Sequence, residues 1–231
     1  MPKASADARK RSVIRRAPAA AEGLLFVSVP TPIGRVRVAA TDTGVIRIEL
    51  PGADPEARMN AWLAAHFPHA TRRRGMSPLL RRATQQIESY FTSGLRTFSL
   101  PLELAGTPFQ IAVWKHVYDI PFGATRSYGA IARSMGNPKA VRAVGAAQGA
   151  NPIPIVIPCH RVVGSTGALI GYGGGLPTKR WLLEHERSRT GATSAPASNQ
   201  LSLFRDDTPA APATRKRWSV VRPRAERPRA G

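Results

Sequence analysis

The first half of the chain alternates hydrophobic and polar residues in the way that half-buried strands do. Four such runs, bounded by turn residues, predict strands over 24–29, 35–39, 45–50 and 98–104. Helical spacing occurs instead over 55–67, and from Ser77, a cap residue followed by proline, to about Gly94. Residues 21–106 are therefore predicted to form an α+β N-terminal domain, a small antiparallel sheet with helices.

The second half, residues 107–190, has helical periodicity and clear helix boundaries. It opens with a capping box, Thr107 and Gln110, around a proline. Helices are predicted over 107–120, 127–136, 137–148 and 178–187. The middle two are short and joined by a tight turn, which indicates a helix-turn-helix in a mainly α C-terminal domain. The second of them surrounds one long side chain, Arg142, with small residues, so Arg142 should project outward.

The net charge of the chain indicates what kind of partner it binds. The chain has 231 residues with 34 Lys and Arg against 14 Asp and Glu, a formal net charge of +20, which predicts a polyanion and most simply nucleic acid. No acid occurs between Asp119 and Glu184. That stretch contains the basic residues Arg126, Arg133, Lys139, Arg142, Arg161, Lys179 and Arg180. Because surfaces normally mix both signs, we interpret it as a DNA-binding face.

The two ends of the chain are basic and lack apolar periodicity. Residues 1–20 have six basic residues against one acid, and residues 191–231 have eight against three. Both are rich in Ala, Pro, Ser and Arg, so both are predicted to be disordered basic tails. They either add salt-sensitive attraction to phosphates or act only as solubilising appendages.

Several classes of protein are excluded by what the sequence lacks. No run approaches the ~20 apolar residues of a membrane span, and no apolar stretch follows the N-terminal charges as in a secretory signal. A single cysteine, Cys159, excludes an internal disulfide framework and a multi-cysteine zinc site. His66 and His69 could be considered as metal ligands, but no cysteine or carboxylate lies nearby at ligand spacing, which disfavours a metal site there. We therefore expect a cytoplasmic protein without a metal.

Cys159 is the residue with the clearest candidate chemistry. It ends an apolar, proline-containing segment that begins at Asn151, which we interpret as extended and buried. A lone cysteine there is usually a small buried hydrophobe. His160 follows directly, however, and a neighbouring base makes a cysteine a nucleophile, here through a bridging water. The imidazole would need an orienting acceptor, either Glu184 or Glu186.

Five motifs then point to a family. They occur in order within 107–186: residues 137–145 (NPKAVRAVG), 151–152 (NP), 158–162 (PCHRV), 171–176 (GYGGGL) and 179–186 (KRWLLEHE). The region resembles the catalytic domain of the O6-alkylguanine-DNA alkyltransferases, also called methylated-DNA–protein-cysteine methyltransferases. Residues 21–104 are similar to the family's N-terminal domain in position and size. The resemblance is to the bacterial type without a zinc-binding regulatory module.

The resemblance implies a catalytic set. Cys159 would accept the alkyl group, and His160 would be its base through a water. Glu186, rather than Glu184, would orient the imidazole. Asn151 would fix the active-site turn by hydrogen bonding.

It also implies a set that binds DNA and substrate. Tyr128 would press on the phosphate of the target nucleotide and help to rotate its base out of the duplex. Arg142 would enter the base stack and occupy the place that this base leaves. Tyr172 would donate to the guanine O6, with Lys179 supporting the charge that develops there. Arg161, in the acid-free stretch, is placed in the same set.

The function implied is single-turnover DNA repair. A monomer would bind double-stranded DNA through the minor groove and flip out O6-alkylguanine, and also O4-alkylthymine. It would transfer the alkyl group irreversibly to Cys159, with no cofactor and no metal.

Two other hypotheses for the function compete with this one. One is a non-catalytic protein that binds DNA or signals lesions, and the other is an unrelated cysteine hydrolase, disfavoured because no glycine-rich oxyanion motif surrounds the cysteine.

Overall fold

A computed structural model describes residues 12–18 and 21–190 of the chain. The N-terminal half contains one six-stranded sheet. Its strands are β1 (Ile14–Arg16), β2 (Gly23–Thr31), β3 (Gly34–Ala40), β4 (Val45–Glu49), β5 (Thr71–Arg74) and β6 (Leu102–Leu104). They lie in the order β1-β6-β4-β3-β2-β5. The antiparallel meander β2-β3-β4 agrees with the prediction, whereas β5, β6 and β1 join in parallel, so the sheet is mixed.

Two helices pack against the sheet. Helix α1 (Pro55–His66) packs on β4, and helix α2 (Pro78–Thr92) packs on β2 and β3. The predicted start of α2 is confirmed, since the Ser77 hydroxyl accepts from the Leu80 N–H at 3.2 Å. The face of α2 that the helical spacing identified, including Ala83, Ile87 and Tyr90, is buried.

Part of the predicted N-terminal tail is a strand of the sheet. Ile14 pairs in parallel register with Leu102, and the N–H of Leu102 donates to the Val13 carbonyl at 2.8 Å. The interpretation of 1–20 as entirely disordered is therefore wrong for 14–16. An edge strand of three residues has too little periodicity to be recognised in sequence. Residues 1–11, 19–20 and the predicted tail 191–231 lie outside the described residues.

The C-terminal half is mainly helical, as predicted. Its elements are α3 (Pro108–Tyr118), β7 (Arg126–Ser127), α4 (Tyr128–Ser134), α5 (Val141–Gly149), β8 (Val162–Val163) and α6 (Gly175–Arg189). The capping box of α3 is confirmed in both directions. Helix α5 begins later than the predicted Asn137, because residues 138–140 form a turn in which the Ala140 N–H donates to the Asn137 carbonyl.

One hydrophobic cluster spans both halves. It joins strand residues such as Ile48 to α2, to α3 through Trp114, and to the segment that leads to Cys159. A backbone hydrogen bond of 2.8 Å links the Ile48 N–H on β4 to the carbonyl of Pro152. The sheet therefore positions the cysteine segment directly. No helix among the residues described is long and apolar enough to cross a membrane.

Candidate active site

The segment that leads to Cys159 is a compact turn. Its residues are buried as predicted, but the expectation of an extended conformation is wrong. The Ile157 N–H donates to the Ile153 carbonyl at 2.9 Å, and Ile155 has a φ of 74°. The prolines, which exclude a central strand, equally permit such a turn. It delivers Cys159 to the start of a single 3-10 turn, Cys159–Arg161.

Asn151 holds this turn closed. Its side-chain amide donates to the Ile157 carbonyl at 2.8 Å and its oxygen accepts from the Ile153 N–H at 3.0 Å. Both bonds are buried, and each spans the turn. The side chain therefore lies where the predicted positioning role requires it.

Cys159 lies on the wall of a cavity of about 190 Å³. Only 7% of the residue is exposed. The cavity is lined by Gln148, Asn151, Pro154, Tyr172 and Gly173 from the C-terminal half and by Arg47, Glu49, Leu50 and Arg58 from the N-terminal half. Burial raises the pKa of the thiol, against the lowering effects of Asn151 and the Lys179 charge. The resting cysteine is therefore a thiol that needs a base.

His160 follows Cys159 directly in the chain. His160 is fully buried, and its Nε2 lies 2.7 Å from Oε1 of Glu186. Burial lowers the pKa of the imidazole, although the Glu186 charge opposes this, so the ring is neutral near pH 7. A neutral ring that faces a carboxylate through Nε2 carries its proton there, which makes Nδ1 the basic nitrogen. Nδ1 is buried and has no hydrogen-bond partner among the described residues.

Glu186, and not the exposed Glu184, orients the histidine. Burial would raise the pKa of the Glu186 carboxyl, but the hydrogen bonds from His160 and Arg161 and the Arg161 charge hold it well below its usual range. It is therefore a buried carboxylate, compensated by ion pairs. Of the two glutamates that the sequence left open, the imidazole contacts Glu186.

Arg161 does not lie on a DNA-binding face, and that prediction is wrong. Its Nε and Nη2 donate to Glu186 at 2.9 Å, and its Nη1 donates to the Ile120 carbonyl at 2.6 Å. The residue is 5% exposed. Sequence reasoning counted its charge as surface charge, although a carboxylate 25 positions along the chain neutralises it.

Sequence reasoning missed Tyr90. Its hydroxyl donates to Oε1 of Glu186 at 2.8 Å from α2 in the N-terminal half. The Gly123 N–H donates to the other oxygen at 3.0 Å. A signal was available, since a tyrosine on the buried face of a helix needs a partner for its hydroxyl. The sequence could not say which partner, because the contact joins residues 96 positions apart.

Tyr172 and Lys179 lie near the Cys159 thiol. The Tyr172 hydroxyl is buried without a hydrogen-bond partner in the described part of the chain, and burial raises its pKa well above the usual value, so it is a neutral donor. The Lys179 ammonium donates to the Ile170 carbonyl at 2.8 Å. Burial lowers its pKa to about 8, although the nearby Cys159 opposes this. Both predicted residues therefore gather around Cys159.

Tyr128 and Arg142 lie at the starts of the two helices of the helix-turn-helix. Tyr128 is the first residue of α4, and its hydroxyl donates to the Ile170 carbonyl at 3.0 Å. Arg142 is the second residue of α5 and is exposed, as predicted. No three His, Cys, Asp or Glu side chains within 12–18 and 21–190 could jointly hold a metal ion.

Two family models match the chain across both halves. Residues 24–104 match the ribonuclease-like domain of 6-O-methylguanine DNA methyltransferase, and residues 108–188 match its DNA binding domain. The chain belongs to this family. The family resemblance and the predicted fold class are confirmed.

Curated relatives and a solved structure agree. The methylated-DNA–protein-cysteine methyltransferase of Mycolicibacterium paratuberculosis is 40% identical over 168 residues, 73% of this chain and 95% of that protein. The one from Mycobacterium bovis is 54% identical over 122 residues, 53% of this chain and 70% of the relative. A crystal structure of Mycobacterium tuberculosis OGT in complex with DNA aligns with a TM-score of 0.62 at 41% identity, covering 71% of this chain and 94% of that one.

Proposed function

We propose that the protein repairs DNA by transferring the alkyl group of O6-alkylguanine, and of O4-alkylthymine, to Sγ of Cys159. The observation that carries the proposal is the thiol at the cavity wall, followed directly by an imidazole that Glu186 holds by Nε2 at 2.7 Å. A cavity beside a thiol suits an extruded base, because an alkyl group on O6 cannot be reached inside the duplex.

The first step in the proposal is removal of the thiol proton. Because Nε2 of His160 is committed to Glu186, Nδ1 takes the proton through a bridging water. The imidazolium that forms is stabilised by the carboxylate of Glu186. Tyr90 and Arg161 keep that carboxylate ionised and fixed through their hydrogen bonds.

The second step is an in-line displacement at the alkyl carbon. A bond forms between Sγ and that carbon, and the carbon–O6 bond breaks with its electron pair left on the base. Tyr172 donates a hydrogen bond where this charge develops, which is the contribution that matters most in such sites. Lys179 adds a positive charge near the sulfur. The product is a thioether, which no group in the site can cleave, so each chain acts once and needs no cofactor.

The helix-turn-helix serves DNA in this proposal. A monomer binds the minor groove, which α5 can approach closely because its exposed residues Ala143, Ala146 and Gly149 are small. Tyr128 presses on the phosphate of the target nucleotide, and Arg142 fills the gap that the flipped base leaves. This compensates part of the few kcal/mol that unstacking costs.

Intact mass tests the proposal. After incubation with duplex DNA holding one O6-methylguanine, the chain should gain the mass of one CH2 unit, located on Cys159 by peptide mapping. Cys159→Ala should bind the same DNA without gaining mass. If the wild type binds the lesion and its mass never changes, the protein is a lesion-binding protein and the repair proposal fails.

A further inference from the structure

Buried polar side-chain atoms without a hydrogen-bond partner gather around Cys159. Across 12–18 and 21–190 these atoms are Arg72 Nε, Gln148 Nε2 and Oε1, His160 Nδ1 and Tyr172 OH. All except the arginine nitrogen belong to residues beside Cys159 or on its cavity wall. The proposed transfer uses His160 and Tyr172. It gives no role to Gln148.

Gln148 is a buried polar residue on the cavity wall. It is 7% exposed and lines the cavity near the end of α5, and neither atom of its amide has a hydrogen-bond partner among the described residues. Asn151, three residues later and equally buried, uses both of its amide atoms in hydrogen bonds. A buried amide without partners destabilises the fold, because its donor and acceptor lose their hydrogen bonds to water and gain none in return. Such a cost is tolerated where a ligand supplies the missing partners.

The ligand chemistry follows from the amide itself. A glutamine offers one donor and one acceptor side by side and can pair with an adjacent acceptor and donor on a base edge. O6-alkylguanine presents this pair, because its N1 accepts and its 2-amino group donates. O4-alkylthymine presents only acceptors at the corresponding positions, N3 and O2.

We propose that Gln148 is a specificity-determining residue that recognises the N1 and 2-amino edge of the flipped purine and favours O6-alkylguanine over O4-alkylthymine. This inference rests on the proposed function, since it needs a base in the Cys159 cavity. Nε2 donates to N1, and Oε1 accepts from the 2-amino group. Binding of the purine pairs both amide atoms, whereas the thymine lesion leaves Oε1 unpaired.

Single-turnover alkyl transfer on three matched duplexes tests this. They contain O6-methylguanine, O6-methylhypoxanthine, which lacks the 2-amino group, or O4-methylthymine. Wild type should react fastest with O6-methylguanine. Gln148→Leu and Gln148→Met, which keep the volume and remove the amide, should slow that reaction by about tenfold or more. They should change the other two far less, so the preference for the 2-amino group collapses.

Leu50→Met is the matched control, because it alters the same cavity wall without a polar group. It should change all three rates by one common factor. The inference is overturned if the Gln148 variants, with an unchanged thermal midpoint, slow all three lesions equally or slow none. Failure of the proposed function looks different, because the wild type would then transfer no alkyl group from any duplex.

Discussion

At the scale of single residues, Glu186 is the group on which the site depends. Its two oxygens accept from the Tyr90 hydroxyl, the Gly123 N–H, the His160 ring and the Arg161 guanidinium. Burial of a charge is expensive, and this set of donors offsets the cost. Removing the charge takes away the carboxylate that pairs with the buried Arg161.

Glu186→Gln should therefore destabilise the protein by about 3–5 kcal/mol and slow alkyl transfer. Glu184→Gln, an exposed neighbour on the same helix, is the control and should change stability by less than about 0.5 kcal/mol. Urea unfolding measures both. Equal effects of the two substitutions would show that the buried network does not stabilise the fold.

The lowered pKa of Lys179 predicts how the free energy of unfolding depends on pH. Its pKa is about 8 in the folded chain against an ordinary 10.5, because burial disfavours the charge. Between those values the unfolded chain binds the extra proton, so the stability contribution of Lys179 rises with pH. The unfolding free energy of wild type relative to Lys179→Met should increase from pH 8 to 10, by at most about 1.4 kcal/mol per pH unit. A difference independent of pH would contradict the lowered pKa.

At the scale of elements, α5 presents Arg142 to solvent from its first turn. Arg142→Ala should slow repair of duplex O6-methylguanine by about tenfold or more, because the few kcal/mol of unstacking is then uncompensated. Transfer from the free base O6-benzylguanine, which needs no flipping, should be unchanged. Arg187→Ala removes the same charge from an exposed site on α6 and controls for net charge. Equal losses on both substrates would exclude the flipping role.

Helix α2 supplies the one hydroxyl that the N-terminal half contributes to Glu186 among the residues described. Tyr90→Phe should cost about 1–2 kcal/mol of stability and slow transfer moderately, because the carboxylate loses one donor. Combined with Glu186→Gln, the two effects should not add, since both act on one network. Full additivity in the double mutant would mean that the hydroxyl acts elsewhere.

At this scale the sequence predicts the features that neighbouring residues decide, and it does not predict those that depend on contacts between distant residues. The caps at Ser77 and Thr107 are decided within four residues, and both helix starts are confirmed. The chemistry of Cys159 and His160 was visible because the two are adjacent. Strands β1 and β5, of three and four residues, form only because the rest of the sheet pairs with them. The roles of Arg161, Gln148 and Tyr90 depend on partners or a cavity that no local pattern encodes.

At the scale of the whole molecule, the charge of +20 divides between the described fold and the ends. Residues 1–11 have four basic residues against one acid, and 191–231 have eight against three. If these ends bind phosphates, removing them should make the dependence of log affinity on log salt less steep. The truncated chain must begin at Ser12, because β1 pairs with β6. Matching slopes for the full chain and 12–190 would show that the ends do not touch DNA.

The hydrogen bond from Ile48 to Pro152 has a consequence for how this protein can be divided. A fragment limited to 107–190 would retain the nucleophile and its base. It would lose the strand that braces the cysteine turn, the Leu50 side of the cavity and the Tyr90 donor. The two halves can therefore be told apart in the sequence, but the site needs residues from both. Exchanging one half for that of a relative should preserve activity only when the contacts across this junction are exchanged with it.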